Sequence, residues 1–306
     1  MGCHCLSISP YRRRQSLKRV ALLTRLWPVT LGLLFVTLVP LAGIVDGTVC
    51  AQTSGLDVIK KRGLLRAGIR FDNPPHSFIN AEGRWVGFDV DIAEALAATL
   101  GVKLHKVKVD QLTRISYLLS GKIDIAVASM SHTRKRDEAI DFSQTYFWSK
   151  QTFLVKTGGA RTLTDLVGKP VGVDRGSHAI ANWRDWLTRH GHPFNSKLVV
   201  EFGDKQVAIQ ALQQGAIAGY AQDIEILASF AKQNPSLEVL KTESIGQKQD
   251  GIGMKENDSK LRDGINFALQ SLERSGEYER IYLRWFGPDS NSPVPLEHRI
   301  EVWPHG

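Results

Sequence analysis

Arg70, Arg114 and Arg136 each stand just past a run that reads as a β-strand, and so do Ser129, Ser131, Ser177, Lys205 and Asp223. These residue types, so placed, are suited to holding a ligand. A guanidinium is a planar fork that fits a carboxylate, and the free N–H groups that open a helix after Arg175-Gly176-Ser177 suit an anion. Each residue alone is explained by a solvated charge at the start of a loop. Together, at equivalent strand ends, they predict a small anionic ligand held between two sheets, because open parallel sheets bind beyond their carboxyl ends.

Signatures of catalysis are missing. The sequence has no GxxxxGK[ST] phosphate loop, no HExxH zinc helix and no GxSxG elbow. Gly251-x-Gly253 lacks the third glycine of a dinucleotide loop and reads as a strand end. His190-Gly-His192 reads as a polar turn, since a stable metal site wants further ligands. Trp183, Trp186 and Leu187 read as the buried face of a helix. No enzyme activity, no cofactor and no metal are expected.

The chain of 306 residues carries 39 Lys+Arg against 31 Asp+Glu, a formal net charge of +8. Much of that excess is N-terminal. Arg12, Arg13, Arg14, Lys18, Arg19 and Arg25 precede the apolar run "VTLGLLFVTLVPLAGIV", and small residues around Ala51 follow. Basic start, apolar middle and small-residue exit predict an export signal over 1–51, cleaved near Ala51. An uncleaved anchor is the rival, though the run is short for a span. Arg13-Arg14 resembles a twin-arginine signal, and Cys50 stands in a poor lipobox. Without residues 1–51 the count is 33 basic against 30 acidic, a net +3 that gives no case for nucleic acid. Cys3, Cys5 and Cys50 all leave with the leader, so the mature fold rests on its own core.

Strand-like and helix-like runs alternate, which predicts an α/β fold with largely parallel sheets. "LLRAGI", "VKLHKVKV" and "KIDIAVAS" read as strands. "GFDVDIAEALAATLG" reads as a helix capped by Asp89 and stopped by Gly101, and "QLTRISYLLSG" as a short helix. The unit repeats through "KPVGVD", "SHAIANWRDWLTRHG", "KLVVEF", "KQVAIQALQQG", "IAGYAQ" and "IEILASFAKQ". A last helical stretch is broken at Gly276, and a Pro-rich tail is expected to wrap the surface.

"GFDVDIAEALA", "GKIDIAVASMSHTRKRDEAIDFSQTYF", "LVGKPVGVDRGS", "DGIGMKEND" and "YERIYLRWFG" resemble the periplasmic amino-acid-binding proteins of polar-amino-acid ABC transporters, solute-binding protein family 3. The resemblance spans about Leu56 to Gly287. It implies the two-lobe periplasmic-binding-protein fold, type II, closing on its ligand like a flytrap. Lobe 1 would be 56–147 plus 250–287, lobe 2 would be 150–246, and 288–306 a C-terminal tail. The crossovers would lie near Phe147–Lys150 and Gln247–Gln249. A periplasmic monomer that serves an inner-membrane ABC permease is the implied setting.

The resemblance also implies roles. Arg136 would grip the ligand α-carboxylate with the Ser131 hydroxyl. Ser129 would offer its carbonyl to the α-amino group, and Asp223 would pair with the same ammonium. Arg134, Lys135, Asp137 and Glu138 would be bystanders. Arg70, Arg114 and Lys205 match the pattern of glutamate/aspartate-binding members, where cations meet a side-chain carboxylate. Asp174, Arg175 and His178 depart from the pattern around Ser177. Glutamine or another polar amino acid stays open as ligand. So does a cyclohexadienyl dehydratase-like enzyme on the same fold, for which Asp223 is the one candidate acid. A sensory ligand-binding module is the third class, with no kinase or channel sequence after residue 287.

Overall fold

A computed structural model describes residues 53–240 and 243–303. The expected export signal, its twin arginines and Cys50 lie outside the described residues. In chain order the first elements are α1 (Gly55–Arg62), β1 (Leu64–Ile69), β2 (Asp72–Asn73), β3 (Ser77–Ile79), β4 (Trp85–Val86), α2 (Phe88–Leu100), β5 (Lys103–Lys108), α3 (Thr113–Leu119), β6 (Ile125–Ala126) and α4 (Arg134–Asp137). Then follow β7 (Asp141–Lys156), β8 (Val171–Asp174), α5 (Ala179–Arg189), β9 (Val199–Phe202), α6 (Lys205–Gln214), β10 (Gly219–Asp223) and α7 (Ile224–Gln233). The chain returns through β11 (Leu237–Val239), β12 (Gly246–Met254), α8 (Ser259–Arg274) and α9 (Glu277–Phe286).

One sheet runs β5-β1-β6-β12-β7-β10-β8-β9, with β11 on β7, and β2, β3 and β4 form a small second sheet. β1 pairs in parallel with β5 and β6, and β8 in parallel with β10 and β9. Between these two parallel sets lie β7 and β12, antiparallel to each other from Gly246–Gln151 to Asp141–Met254. Both are single strands running through the centre of the sheet. This is the type II periplasmic-binding-protein fold, mixed α/β with a largely parallel sheet.

The apolar residues separate into cores on either side of that centre. Leu65, Ile69, Phe88, Ile92, Tyr146, Ile265 and Phe286 pack in one, and Val109, Leu118, Ile123 and Phe142 extend it over the other face of the sheet. Along β7 the pattern changes to a continuous apolar run. Phe153 and Val155 enter the core around Trp183, Trp186 and Leu187, while Leu154 enters the one around Leu212, Tyr220 and Leu227. A strand covered by helices on both faces needs such a run, since successive side chains alternate sides.

Several expected elements differ in detail. The strand expected over "KIDIAVAS" keeps ladder pairing only at Ile125–Ala126; Ser129 turns to a positive φ of 49°, and the chain meets β12 again as a single bridge between Ser131 and Asp250. "KLVVEF" begins as a 3₁₀ turn at Ser196–Leu198 before β9. Asp89 does not cap its helix. Gly87 holds that place at φ 135°, where a side chain would collide with the His76 carbonyl, and α2 starts one residue before Asp89. The buried Asp89 carboxylate instead accepts from the Tyr146 hydroxyl at 2.9 Å. The tail is tied down rather than only draped: Ile300 is buried in the first core, and Arg299 reaches Glu273 and Glu279 at 2.9 and 2.8 Å.

Candidate functional site

The strand ends converge on a cleft between the two sets of parallel strands. Its lining includes Arg70, Arg114, Ser129, Ser131, Arg136, Ser177 and Asp223 from the expected set. Asn73, Gln111, Gln151, His178, Gln222 and Lys248 complete it. Lys205 stands behind this lining, buried against its neighbours. The two sides are close: Arg136 Nη2 lies 3.3 Å from the carbonyl of Gly176 opposite.

Arg136 sits on α4, a single turn capped by Thr133, whose hydroxyl accepts from the Arg136 N–H at 3.4 Å. Its Nη1 donates to the Ser131 carbonyl at 2.8 Å, so Ser131 supports it through the backbone rather than the hydroxyl. Burial pushes the guanidinium pKa down, with Asp250 and Asp223 pulling the other way. Arg134, Lys135, Asp137 and Glu138 are exposed.

Arg114 is 1% exposed, on the helix that follows β5. Nη1 donates to the carbonyls of Ala128 at 2.8 Å and Ser129 at 3.3 Å, and Nη2 to Gln111 Oε1 at 2.7 Å. The Ser129 carbonyl therefore already serves an arginine. Arg114 Nε is buried without a hydrogen-bond partner. Burial, then the like charges of Arg136 and Arg70, push this guanidinium well below its ordinary pKa. Among the described residues, neither Arg114 nor Arg136 has a carboxylate within 4.0 Å.

The other cations are paired. Arg70 makes two bonds of 3.0 Å to Asp72 through Nε and Nη2. Lys205 Nζ lies 2.9 Å from Asp174 and 4.0 Å from Asp72. The resemblance implies that Arg70 and Lys205 meet a ligand carboxylate; here Asp72, two residues on along the chain, and Asp174, at the end of β8, already supply their counter-charges. Asp223 is likewise occupied. It accepts from Gln151 Nε2 at 2.8 Å and from Lys248 at 2.5 Å. Burial works to raise the Asp223 pKa, but Lys248 and Gln151 outweigh it and hold the carboxyl below the usual range.

Lys248 escaped the sequence reading. The signal was present: Lys248 and Asp250 are two apart in a strand and so share a face, and their side chains meet at 2.9 Å. Asn73 escaped too, although it is 1% exposed and both polar atoms of its amide lack partners. Ser177 Oγ is also buried and unpartnered. The two remaining motifs have structural surroundings, the second within a strand rather than at its end. His190 stacks on Trp186 at 4.2 Å and bonds its carbonyl through Nδ1 at 2.8 Å. Gly251 and Gly253 lie inside β12.

The geometry is therefore a buried, donor-rich slot with two guanidiniums lacking a counter-charge. Comparison with known proteins agrees with a binding role. The profile of the bacterial extracellular solute-binding proteins, family 3, matches residues 65–288. The L-cystine-binding protein TcyJ of Escherichia coli K12 is 30% identical over 240 residues, 76% of this chain and 86% of that protein. Among solved structures, an ancestral arginine-binding protein bound to glutamine is similar at a TM-score of 0.66 and 35% identity, over 74% of this chain and 99% of that one. The ancestral amino acid-binding protein AncCDT-1, a precursor of cyclohexadienyl dehydratase, is similar at 0.67 and 30%, over 76% and 100%.

Proposed function

This chain belongs to the bacterial extracellular solute-binding proteins, family 3, and we propose that it is a periplasmic receptor for a small ligand with two carboxylates. Glutamate and aspartate are the first choices, delivered to an inner-membrane ABC permease. The reading divides the chain into lobes 56–147 with 250–287 and 150–246, which hinge through β7 and β12.

One observation carries the reading: Arg114, buried, and Arg136, half-buried, both line the cleft with no carboxylate within 4.0 Å. An uncompensated buried charge costs several kcal/mol, so the arrangement is favourable only when an anion joins it. The charge count points the same way. Arg70, Arg114, Arg136, Lys205 and Lys248 face Asp72, Asp174, Asp223 and Asp250, which leaves one cation over. A ligand with net negative charge answers that surplus. Arg136 takes one carboxylate, supported by Ser131 and by Ser177 opposite, and Arg114 takes the other.

A neutral polar ligand such as glutamine is the second reading, favoured by the self-neutralised pairs Arg70–Asp72 and Lys205–Asp174. An enzyme on this fold needs an acid in the cleft, and Asp223, ionised by Lys248, is a poor one. A calorimetric panel of glutamate, aspartate, glutamine, arginine, cystine, arogenate and prephenate tests all three. Tightest binding of glutamate or aspartate supports the reading. Tighter binding of glutamine or arginine removes it, tighter binding of cystine keeps two carboxylates but removes glutamate and aspartate, and turnover of arogenate or prephenate replaces it with the enzyme.

A further inference from the structure

We propose that Lys248 sets the class of ligand: its side-chain ammonium fills the place a ligand's ammonium would take, so the cleft reads carboxylates and leaves an amino group unread. The inference rests on the dicarboxylate reading above and narrows it to diacids for which the α-amine is dispensable.

A lysine ammonium has three donors and no acceptor. Lys248 Nζ meets three acceptors: Asp223 Oδ2 at 2.5 Å, Asp250 Oδ2 at 2.9 Å and Ser129 Oγ at 3.2 Å. Its hydrogen-bonding capacity is used up, in a group only 6% exposed. Asp223 is the carboxylate expected to receive the ligand's ammonium, and its second oxygen is taken by Gln151 Nε2 at 2.8 Å. Gln151 is in turn fixed by Asn182 Nδ2, 2.8 Å from its amide oxygen. Each Asp223 oxygen thus already accepts from a side chain of this protein, without a ligand amine. Asp250 keeps one unpartnered oxygen, but Asp250 is not part of the cleft lining.

An amine brought to Asp223 would also sit beside Lys248, and two ammonium groups sharing one carboxylate repel through a low-dielectric interior. The unpaired charges left facing the cleft are those of Arg114 and Arg136, and both are cationic. Unpartnered Arg114 Nε is a donor, and Asn73 and Ser177 can donate as well as accept. The chemistry that fits is a four- or five-carbon diacid, aliphatic or 2-oxo, in which two anionic ends meet two guanidiniums and no third group needs an acceptor.

Calorimetry with glutamate, glutarate, 2-oxoglutarate and glutamine separates the possibilities. Glutarate or 2-oxoglutarate should bind within tenfold of glutamate, or tighter. Lys248→Met frees Asp223 and Ser129 and should move the balance at least tenfold towards glutamate. Should that variant fail to fold, Asp223→Asn serves instead: it should weaken glutamate no more than threefold beyond its effect on glutarate. Glutamate binding more than tenfold tighter than both amine-free diacids would overturn the role of Lys248 while leaving the dicarboxylate reading intact. Glutamine binding tighter than every diacid, or no diacid binding at all, would overturn that reading and this inference with it.

Discussion

His76 and Glu225 meet inside the protein from opposite sides of the cleft, imidazole Nε2 to carboxylate Oε1 at 2.9 Å, both without solvent exposure. His76 precedes β3, and Glu225 lies in the first turn of α7. The Ser149 hydroxyl, from the central strand β7, donates to the other Glu225 oxygen at 2.5 Å. Asp89 stands 3.7 Å from His76 Nδ1, close enough for attraction but beyond a hydrogen bond. The contact ties α7 to the segment before α2 at the root of the proposed hinge.

Burial opposes a charged imidazole, but Asp89 and Glu225 outweigh it and push His76 up to about 9. A group whose folded pKa is raised adds stability that is complete below its unfolded value and lost as pH climbs through the folded one. The window for His76 therefore runs from about 6.5 to about 9. Over it the protein should lose on the order of 3 kcal/mol of unfolding free energy, at about 1.4 kcal/mol per unit of pKa. Urea denaturation at pH 6 and pH 9.5 measures this. In His76→Gln, which keeps a donor for Glu225 and does not titrate, most of the pH dependence should vanish. An unchanged slope in that variant would assign the loss to other groups.

Arg136 and Arg134 lie in the same basic run and should behave oppositely. Truncating one partner of a buried charge pair costs roughly 2–5 kcal/mol. At about 1.4 kcal/mol per decade, Arg136→Ala should weaken every ligand about 30- to 3,000-fold. Arg134 is exposed, and an exposed charge is worth only about 0–1 kcal/mol. Arg134→Ala should change affinity less than about fivefold by the same conversion. Equal losses in both variants would mean the run acts as a diffuse patch.

How far this was legible in the sequence follows from what a strand end can say. Arg70, Arg114, Ser129, Ser131, Arg136, Ser177 and Asp223 stand at strand ends in the sequence and line one cleft in the fold, because parallel strands deliver their carboxyl ends to one edge. Their partners were harder. Asp72 lies two residues beyond Arg70, yet nothing in the local pattern says that its carboxylate turns back rather than into solvent. Lys248 lies on β12, which returns to the cleft from more than a hundred residues after Ser129. Residue type and spacing place a charge at a site. Whether that charge is free depends on long-range contacts that only the folded chain brings together.

Arg114 shows the cost of building such a site. Its Nε has no partner and its guanidinium lies beside two like charges, Arg136 and Arg70. Leaving a buried charge unpaired is destabilising. Arg114→Met keeps much of the volume and removes the charge. Without ligand it should melt no lower than the wild type, despite losing the bonds to Ala128, Ser129 and Gln111. Addition of glutamate should then stabilise the variant far less. A melting point clearly below wild type would mean that those three hydrogen bonds outweigh the stranded charge.

Arg70 and Arg114 should not contribute equally to a preference for glutamate over glutamine. Both face the cleft, but Arg70 is held by two bonds of 3.0 Å to Asp72, whereas Arg114 has only neutral partners. An arginine whose charge is already matched gains little more from a ligand carboxylate than from an amide. One whose charge is unmatched gains the full difference, since hydrogen bonds to charged groups are worth roughly twice neutral ones. Arg114→Met should therefore collapse the glutamate-to-glutamine ratio, mainly through weaker glutamate binding, while Arg136 keeps its carboxylate. Arg70→Gln strands Asp72 beside Lys205, so it should lower the affinity for both ligands and leave their ratio within about fivefold, a difference near 1 kcal/mol. Calorimetry of the two single variants decides the assignment. If Arg70→Gln erases the preference and Arg114→Met spares it, the side-chain carboxylate is read at the Arg70 end of the cleft, and Asp72 must release its arginine when the ligand binds.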